Sequence, residues 1–269
     1  MAQPRVLVLS GYGINCEEET AYAFDYAGAV SDIIHINDLT GTKSRLKDYN
    51  IFVFPGGFSY GDDTGSGRAL ANLIKNRLFQ EMKEFVARDT LTLGICNGFQ
   101  VLVNLGIVPA LSGFTGQVEA SLEHNSSFRY QCRWVNLSVE SPSRCVFTEG
   151  ISSMHIPVAH GEGRFYAPPE TLEKIESEKL VTMRYSTPAG KPAGGDFPAN
   201  PNGSLNDIAA VCDTTGRVMG MMPHPERGIF FTQRDDWTLL KEEYRRSGSP
   251  MPVESDGITI FRNAVKYFS

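Results

Sequence analysis

The chain has 269 residues, 41% of them hydrophobic with 16 Phe and 10 Tyr, enough apolar mass for one large α/β domain or two small ones around a packed core. A net charge of −6 and the lack of a dense Lys/Arg run argue against a phosphate-backbone binder, leaving only Arg245-Arg246 as a small basic patch. Five cysteines without a C-x-x-C pair argue against a disulfide framework or a cysteine-based zinc site and fit a reducing compartment.

Residues 1–5 lead straight into an apolar strand, with no charged-then-apolar leader, and no window has the length of a membrane span; a cytoplasmic protein is expected. Val6–Leu9 is that strand. The loop Ser10–Ile14 follows, and Asn15 is the predicted N-cap of a helix reaching about Gly28. Further strands are predicted at Asp32–Ile36, Ile51–Phe54 and Leu91–Ile95, with helices near 66–88 and 97–104. Strands alternating with helices predict a parallel sheet whose ligands sit beyond the carboxyl ends of the strands. From about residue 114 the pattern turns to short alternating segments, Arg133–Val139 and Leu180–Tyr185 among them, which predict antiparallel pairing within the same single domain, 1–269. Pro188–Pro201 and 232–256 are the flexible candidates.

The chemistry concentrates in Gly94-Ile-Cys96-Asn97-Gly98, where a buried strand runs through a tight turn into a helix. Glycine is needed on both sides because the backbones approach too closely for a Cβ. A sulfur at this point lies over the free N–H groups of the next helix, which favours the reactive thiolate. Free cysteines are usually inert core residues. Cys96 departs from that reading because a second segment, Gly220-Met-Met-Pro-His224-Pro-Glu226-Arg227, supplies a base and an acid two residues apart on a turn stiffened by two prolines. Pro55–Asp62 is a glycine-rich turn that lacks both the P-loop and the dinucleotide spacing. Its suggested role is to aim the Gly57 N–H, with that of Asn97, at a developing oxyanion. The His-x-Glu pair without Pro-Cys-x-x-Cys does not make a zinc deaminase, and no metal is expected.

These segments, with Ala159-His-Gly-Glu-Gly-Arg-Phe165 and Asn200-Pro-Asn-Gly-Ser204, resemble the glutaminase subunits of phosphoribosylformylglycinamidine synthases, class I triad-type glutamine amidotransferases, over nearly the whole chain. The resemblance implies an open, mixed, mostly parallel sheet flanked by helices, of flavodoxin-like class. It implies Cys96 as nucleophile, His224 as general base and acid, Glu226 as the group orienting His224, and Gly57 and Asn97 as the oxyanion hole. Gln100 and the backbone around Gly161 would hold the substrate, L-glutamine. The implied partners are a large synthetase subunit and a small bridging subunit; no cofactor is implied in this chain, ATP and Mg being used by the synthetase. The start at Met1 favours the separate subunit over the fused synthase in which the family also occurs. Residues 235–257 match no motif and are expected to form a surface loop or docking element. An elbow-cysteine protease or deglycase of related fold would leave the His-x-Glu turn unexplained, and a silent regulatory subunit would not need a complete triad. Cys16, Cys132, Cys145 and Cys212 lack an elbow and are expected to be bystanders.

Overall fold

β1 (Arg5–Ser10) lies at the heart of the molecule: Val6 to Leu9 are all fully buried, as expected for a parallel strand covered on both faces. The computed structural model describes residues 3–41, 43–61 and 65–269; Asp62, at the end of the glycine-rich turn, lies outside them. β1 pairs in parallel with β2 (Val30–His35) and β3 (Ile51–Phe54), and β3 with β4 (Leu91–Ile95). In the order β2-β1-β3-β4 these strands form one side of a sheet that has nine strands among the described residues. Beside β4 lies β11 (Val218–Met221), also parallel; β10 (Ile208–Cys212), β9 (Val181–Ser186), β6 (Gln131–Val139) and β7 (Ser153–His160) continue it antiparallel. The two predicted alternating segments are thus neighbours, with Leu137 opposite Tyr185. A separate ribbon joins β5 (Ser121–His124) to β8 (Glu162–Tyr166).

Helices cover the sheet where its strands are most apolar. α1 (Glu17–Tyr26) packs on β1 and β2 and meets α8 (Ile258–Lys266) through an edge-to-face pair, Phe24 and Phe261, 4.9 Å between centroids. α5 (Asn97–Leu105) lies on β3, β4 and β11. Gly220 permits this, because a Cβ there would lie 1.9 Å from the Phe99 ring.

Several expected boundaries move. The residue capping α1 is Cys16, not Asn15, whose side-chain oxygen accepts from the Cys16 thiol at 3.2 Å instead of from the helix backbone. The chain turns after α1 at Gly28 with φ +102. The predicted strand at Asp32–Ile36 begins earlier and gives way at Ile36 to a short helix, α2 (Ile36–Gly41). The helix expected over 66–88 is two, α3 (Arg68–Arg77) and α4 (Phe79–Ala87), broken where Leu78 adopts φ −134 and buries its side chain. Between Pro188 and Pro201 the chain is pinned by the Asp207 carboxylate, which accepts from the N–H groups of Gly194 and Gly195 at 2.7 and 2.8 Å. Residues 232–256 are not a loop either. They contain α7 (Trp237–Ser247), which follows α6 (Pro169–Ser177) in chain order and contributes no buried residue, and both ends are tied by the Phe230–Glu254 bridge. Arg245 and Arg246 both pair with Glu242, at 2.7 and 2.9 Å, so the basic patch is partly neutralised.

Candidate active site

β4 and β11 are adjacent and parallel, with Gly94 opposite Gly220 and Ile95 opposite Met221, so two segments distant in sequence leave the sheet side by side at the same edge. The Cys96 N–H donates to the Met221 carbonyl at 2.7 Å and locks the two exits together. Cys96 then takes φ +50, ψ −106, a strained backbone for an L-residue that costs of the order of 1–3 kcal/mol. The flanking glycines are obligatory. A Cβ on Gly98 would sit 1.8 Å from the Phe54 carbonyl oxygen, and one on Gly94 would sit 2.7 Å from that of Gly98. The turn places the sulfur at the start of α5, 4% exposed, with the thiol directed at the Ala159 carbonyl at 3.6 Å.

Beyond β11 the chain makes a single 3-10 turn, Pro225–Arg227, anchored where the His224 N–H donates to Pro157 of β7 at 2.8 Å. Within it His224 Nδ1 meets Glu226 Oε1 at 2.6 Å, both residues being 1% exposed. Burial opposes charge on the ring, but Glu226 and the neighbouring Cys96 sulfur outweigh it, so the imidazole holds its proton well above the ordinary histidine range. Its other nitrogen, Nε2, is buried with no hydrogen-bond partner among the described residues. Carboxylate, imidazole and thiol thus form one electrostatic unit.

The N–H groups of Gly57 and Asn97 are likewise without hydrogen-bond partners among the described residues. Gly57 sits at φ +148, its backbone pressed so closely on the Gly13–Asn15 segment that a Cβ would lie 2.6 Å from the Gly13 carbonyl oxygen. Asn97 joins the two donors, accepting from the Ser59 N–H at 3.2 Å while its amide donates to Gln100 Oε1 at 2.8 Å. Gln100 in turn donates to the Glu162 carbonyl at 2.5 Å, which leaves one lone pair and one N–H of its amide uncommitted. Gly57, Cys96, Gln100 and Gly161 line one small cavity with Phe58 and His160. His224, Glu226 and Asn97 do not line this cavity but adjoin it, His224 and its partner Glu226 through the neighbouring Cys96 and Asn97 through Gln100; the free volume is only about 10 Å³, room for about one water. A larger cavity of about 530 Å³ shares Glu162 with it and carries Arg68, Glu123, His124 and Arg164.

Two residues at the site were given no role by the sequence, although His160 lies within the Ala159–Phe165 motif. His160 is buried, its Nδ1 3.1 Å from Asn125 Oδ1. Because the Asn125 amide nitrogen is spent on the carbonyls of Arg129 and His160, Oδ1 must accept and the His160 proton sits on Nδ1. Burial, aided by the positive His224, pushes the His160 pKa down to about 3, so it is neutral. The second is Cys16, expected as a bystander, which lies fully buried against the His224–Glu226 pair. One ligand-type atom from each of the three falls within 4.8 Å of the others, but the His–Glu hydrogen bond already engages two of them. The Asn200–Ser204 motif is scaffold: the Asn202 amide donates to the Gly163 carbonyl at 2.8 Å and to the Tyr185 hydroxyl at 3.1 Å, and holds β8 against β9.

An elbow cysteine and a His-x-Glu turn at the carboxyl ends of neighbouring parallel strands are the architecture of class I glutamine amidotransferases. The family model described as a CobB/CobQ-like glutamine amidotransferase domain matches residues 3–268. The chain is 52% identical over 268 residues to the phosphoribosylformylglycinamidine synthase subunit PurQ of Methanococcus maripaludis, covering 99% of this chain and 98% of that one. It is 43% identical to PurQ of Dehalococcoides mccartyi at the same coverage, and 34% identical to 20% of the length of the Drosophila melanogaster phosphoribosylformylglycinamidine synthase. Its fold aligns over the whole of both chains with a chain in the structure of PurLQS from Thermotoga maritima, at a TM-score of 0.71 and 28% identity. The chain belongs to the glutamine amidotransferase family, within its PurQ branch.

Proposed function

We propose that this chain, acting as one domain, is the glutaminase of a phosphoribosylformylglycinamidine synthase, releasing ammonia from L-glutamine for a synthetase subunit. The observation that carries the reading is a strained elbow thiol that shares one cavity with Gly57 and Gln100 and stands beside a buried His–Glu pair coupled to its sulfur. In this mechanism the Cys96 thiolate attacks the glutamine carboxamide carbon, and the N–H groups of Gly57 and Asn97 take up the oxyanion of the tetrahedral intermediate. His224, held protonated by Glu226, passes its proton to the departing nitrogen, and ammonia leaves behind a γ-glutamyl thioester. The now neutral His224 takes a proton from water, which attacks the thioester and frees glutamate and the thiol. Gln100 and the backbone at Gly161 hold the substrate against the sulfur.

Free ammonia is mostly protonated at neutral pH, so such a chain is useful only beside an acceptor. The family membership supports a large synthetase that converts formylglycinamide ribonucleotide to the amidine with ATP and Mg, and a small bridging subunit, as in the PurLQS assembly of Thermotoga maritima. No described helix is long and apolar enough to cross a membrane, consistent with a cytoplasmic place for the reaction. The test is Cys96→Ala in the assembled complex. Glutamine-dependent amidation is expected to vanish while ammonia-dependent amidation persists; glutamine turnover that survives would remove Cys96 from the chemistry.

A further inference from the structure

The loop Gly11–Cys16 backs both halves of the site. Its main chain braces the glycine-rich turn, the N–H of Phe58 donating to the Gly13 carbonyl at 2.7 Å and that of Asn15 to the Gly56 carbonyl at 3.3 Å. Its last residue reaches the histidine turn. A Cβ on Gly56 would lie 2.6 Å from His224 Cε1 and 3.1 Å from Cys16 Sγ, so ring and sulfur pack together over that glycine. The Cys16 thiol donates to Asn15 Oδ1, and Arg227 Nη2 donates to the sulfur at 2.8 Å. Arg227 Nε meanwhile stands 3.9 Å from Glu226 Oε1, the oxygen that holds His224 Nδ1 at 2.6 Å.

We infer that Cys16 is a positioning residue of the triad: its sulfur captures Arg227 and so keeps that guanidinium from competing with His224 for the Glu226 carboxylate. The chemistry suits the task. Burial pushes the Cys16 thiol up, so it stays neutral and presents its lone pairs to Arg227 while its proton points to Asn15. A carboxylate in the same place would bind Arg227 more tightly but would add a second negative charge beside Glu226. Alanine would leave Arg227 with no acceptor except the more distant Glu19 and Glu226, at 3.8 and 3.9 Å. Closing onto Glu226, the guanidinium would draw electron density from the carboxylate that stabilises the imidazolium.

This inference rests on the triad reading for its effect on activity, but its direct readout does not. The groups facing the His224 ring are Glu226 and Arg227 of its own turn, Cys96 at the start of α5, Cys16 before α1, His160 at the end of β7 and Tyr130 ahead of β6. His160 is neutral down to about pH 3, and burial pushes Tyr130 above its usual value, so neither changes charge between pH 5 and 9. The titration of His224 is therefore followed by 15N NMR of histidine-labelled protein, its signal assigned by loss in His224→Gln. In Cys16→Ala the His224 pKa is expected to fall by about one unit, with the alkaline limb of the glutaminase pH profile of the complex moving down by the same amount. Cys16→Ser, which keeps an acceptor for Arg227 and a polar contact for the ring, should titrate close to the native chain, and Cys16→Ala/Arg227→Met should recover the part of the fall that the competing guanidinium causes, leaving only the loss of the direct Cys16 contact with His224. An unchanged His224 pKa in Cys16→Ala, or a double variant that matches the single one, would overturn the inference. If Cys16→Ala does not fold, Cys16→Thr decides through the same titration: it keeps a hydroxyl acceptor, and a fall as large as one unit would count against the role. A normal NMR response without any glutaminase effect would instead count against the triad reading, so the two failures are separable.

Discussion

His224 and Glu226 lie on one 3-10 turn with both side chains withdrawn from solvent, so neither can be exchanged for water when its partner is lost. In the proposed mechanism His224→Ala removes the group that moves the protons of the cycle, and it is expected to cost about 10³-fold or more in glutaminase turnover. Glu226→Gln keeps the shape but can no longer stabilise the imidazolium, and its smaller loss should not add to that of His224→Ala. Steady-state rates of the two single variants and the double variant check this; additive losses would place Glu226 in some other task. His160 makes a pH prediction. Its folded pKa of about 3 is depressed from 6.5, so the unfolded chain binds a proton that the native chain refuses as pH falls below 6.5. Stability from this group is complete above about pH 6.5 and is lost progressively down to about pH 3, a loss of about 2 kcal/mol already at pH 5. His224 is shifted the other way: its contribution is intact below 6.5 and fades only as pH rises through its folded value, so it does not mask the acid effect. Denaturant unfolding at pH 7 and pH 5 should show an acid loss smaller by that amount in His160→Gln. The sequence made the two turns legible, because glycine and proline spacing marks both the one at Cys96 and the one at His224. It could not assign a role to Cys16 or, within the quoted Ala159–Phe165 motif, to His160, because their surroundings are what the sheet brings against them from elsewhere in the chain.

Among elements, the elbow between β4 and α5 is the least tolerant. A methyl on Gly98 would overlap the Phe54 carbonyl at 1.8 Å, backbone against backbone, so Gly98→Ala must displace β3 or α5. It is expected to destabilise the fold by about 3 kcal/mol or more and to abolish glutaminase activity. α7 is the contrast: Leu239 is 62% exposed, and Leu239→Lys should shift stability by less than about 0.5 kcal/mol. Thermal unfolding of both variants measures the difference. The core strands were readable because β1 and β3 hold unbroken apolar runs, Val6–Leu9 and Ile51–Phe54, and β4 is a short, mostly apolar segment that leads through Gly94 into the elbow. The errors came where periodicity stays helical but tertiary packing intervenes. The break at Leu78 is one, since nothing in a polar, helix-favouring stretch announces that a buried leucine will redirect the chain. α7 is the other: with one face against Phe231 and the rest in solvent, its composition is that of a surface loop.

At the scale of the whole molecule, the site is assembled but closed. The cavity over Cys96 has room for about one water, far less than a glutamine side chain needs, so the substrate enters only if a wall moves. The candidates are on the rim. Phe58 of the glycine-rich turn rests on Tyr130, 6.2 Å between ring centroids, and Tyr130 is half exposed, so the turn that carries the Gly57 donor is covered by a residue open to solvent and to a docking partner. The Gly11–Cys16 loop braces the same turn from behind, so any motion that admits glutamine also reaches the histidine turn through Cys16 and Arg227. Opening that costs free energy in the isolated chain can be supplied by a partner that binds the open form more tightly. Uncoupled hydrolysis would waste glutamine, which gives such coupling a use. The isolated chain is therefore expected to hydrolyse glutamine slowly and to be stimulated at least about tenfold by the synthetase with nucleotide bound, a population shift of about 1.4 kcal/mol. Replacing Tyr130 with Ala should raise the rate of the isolated chain and shrink the stimulation, because the cover is gone before the partner arrives. Steady-state glutaminase assays of the native chain and Tyr130→Ala, alone and in complex, measure both quantities; equal rates with and without the synthetase would mean that the closed cavity opens on its own and that the partner plays no part in admitting the substrate.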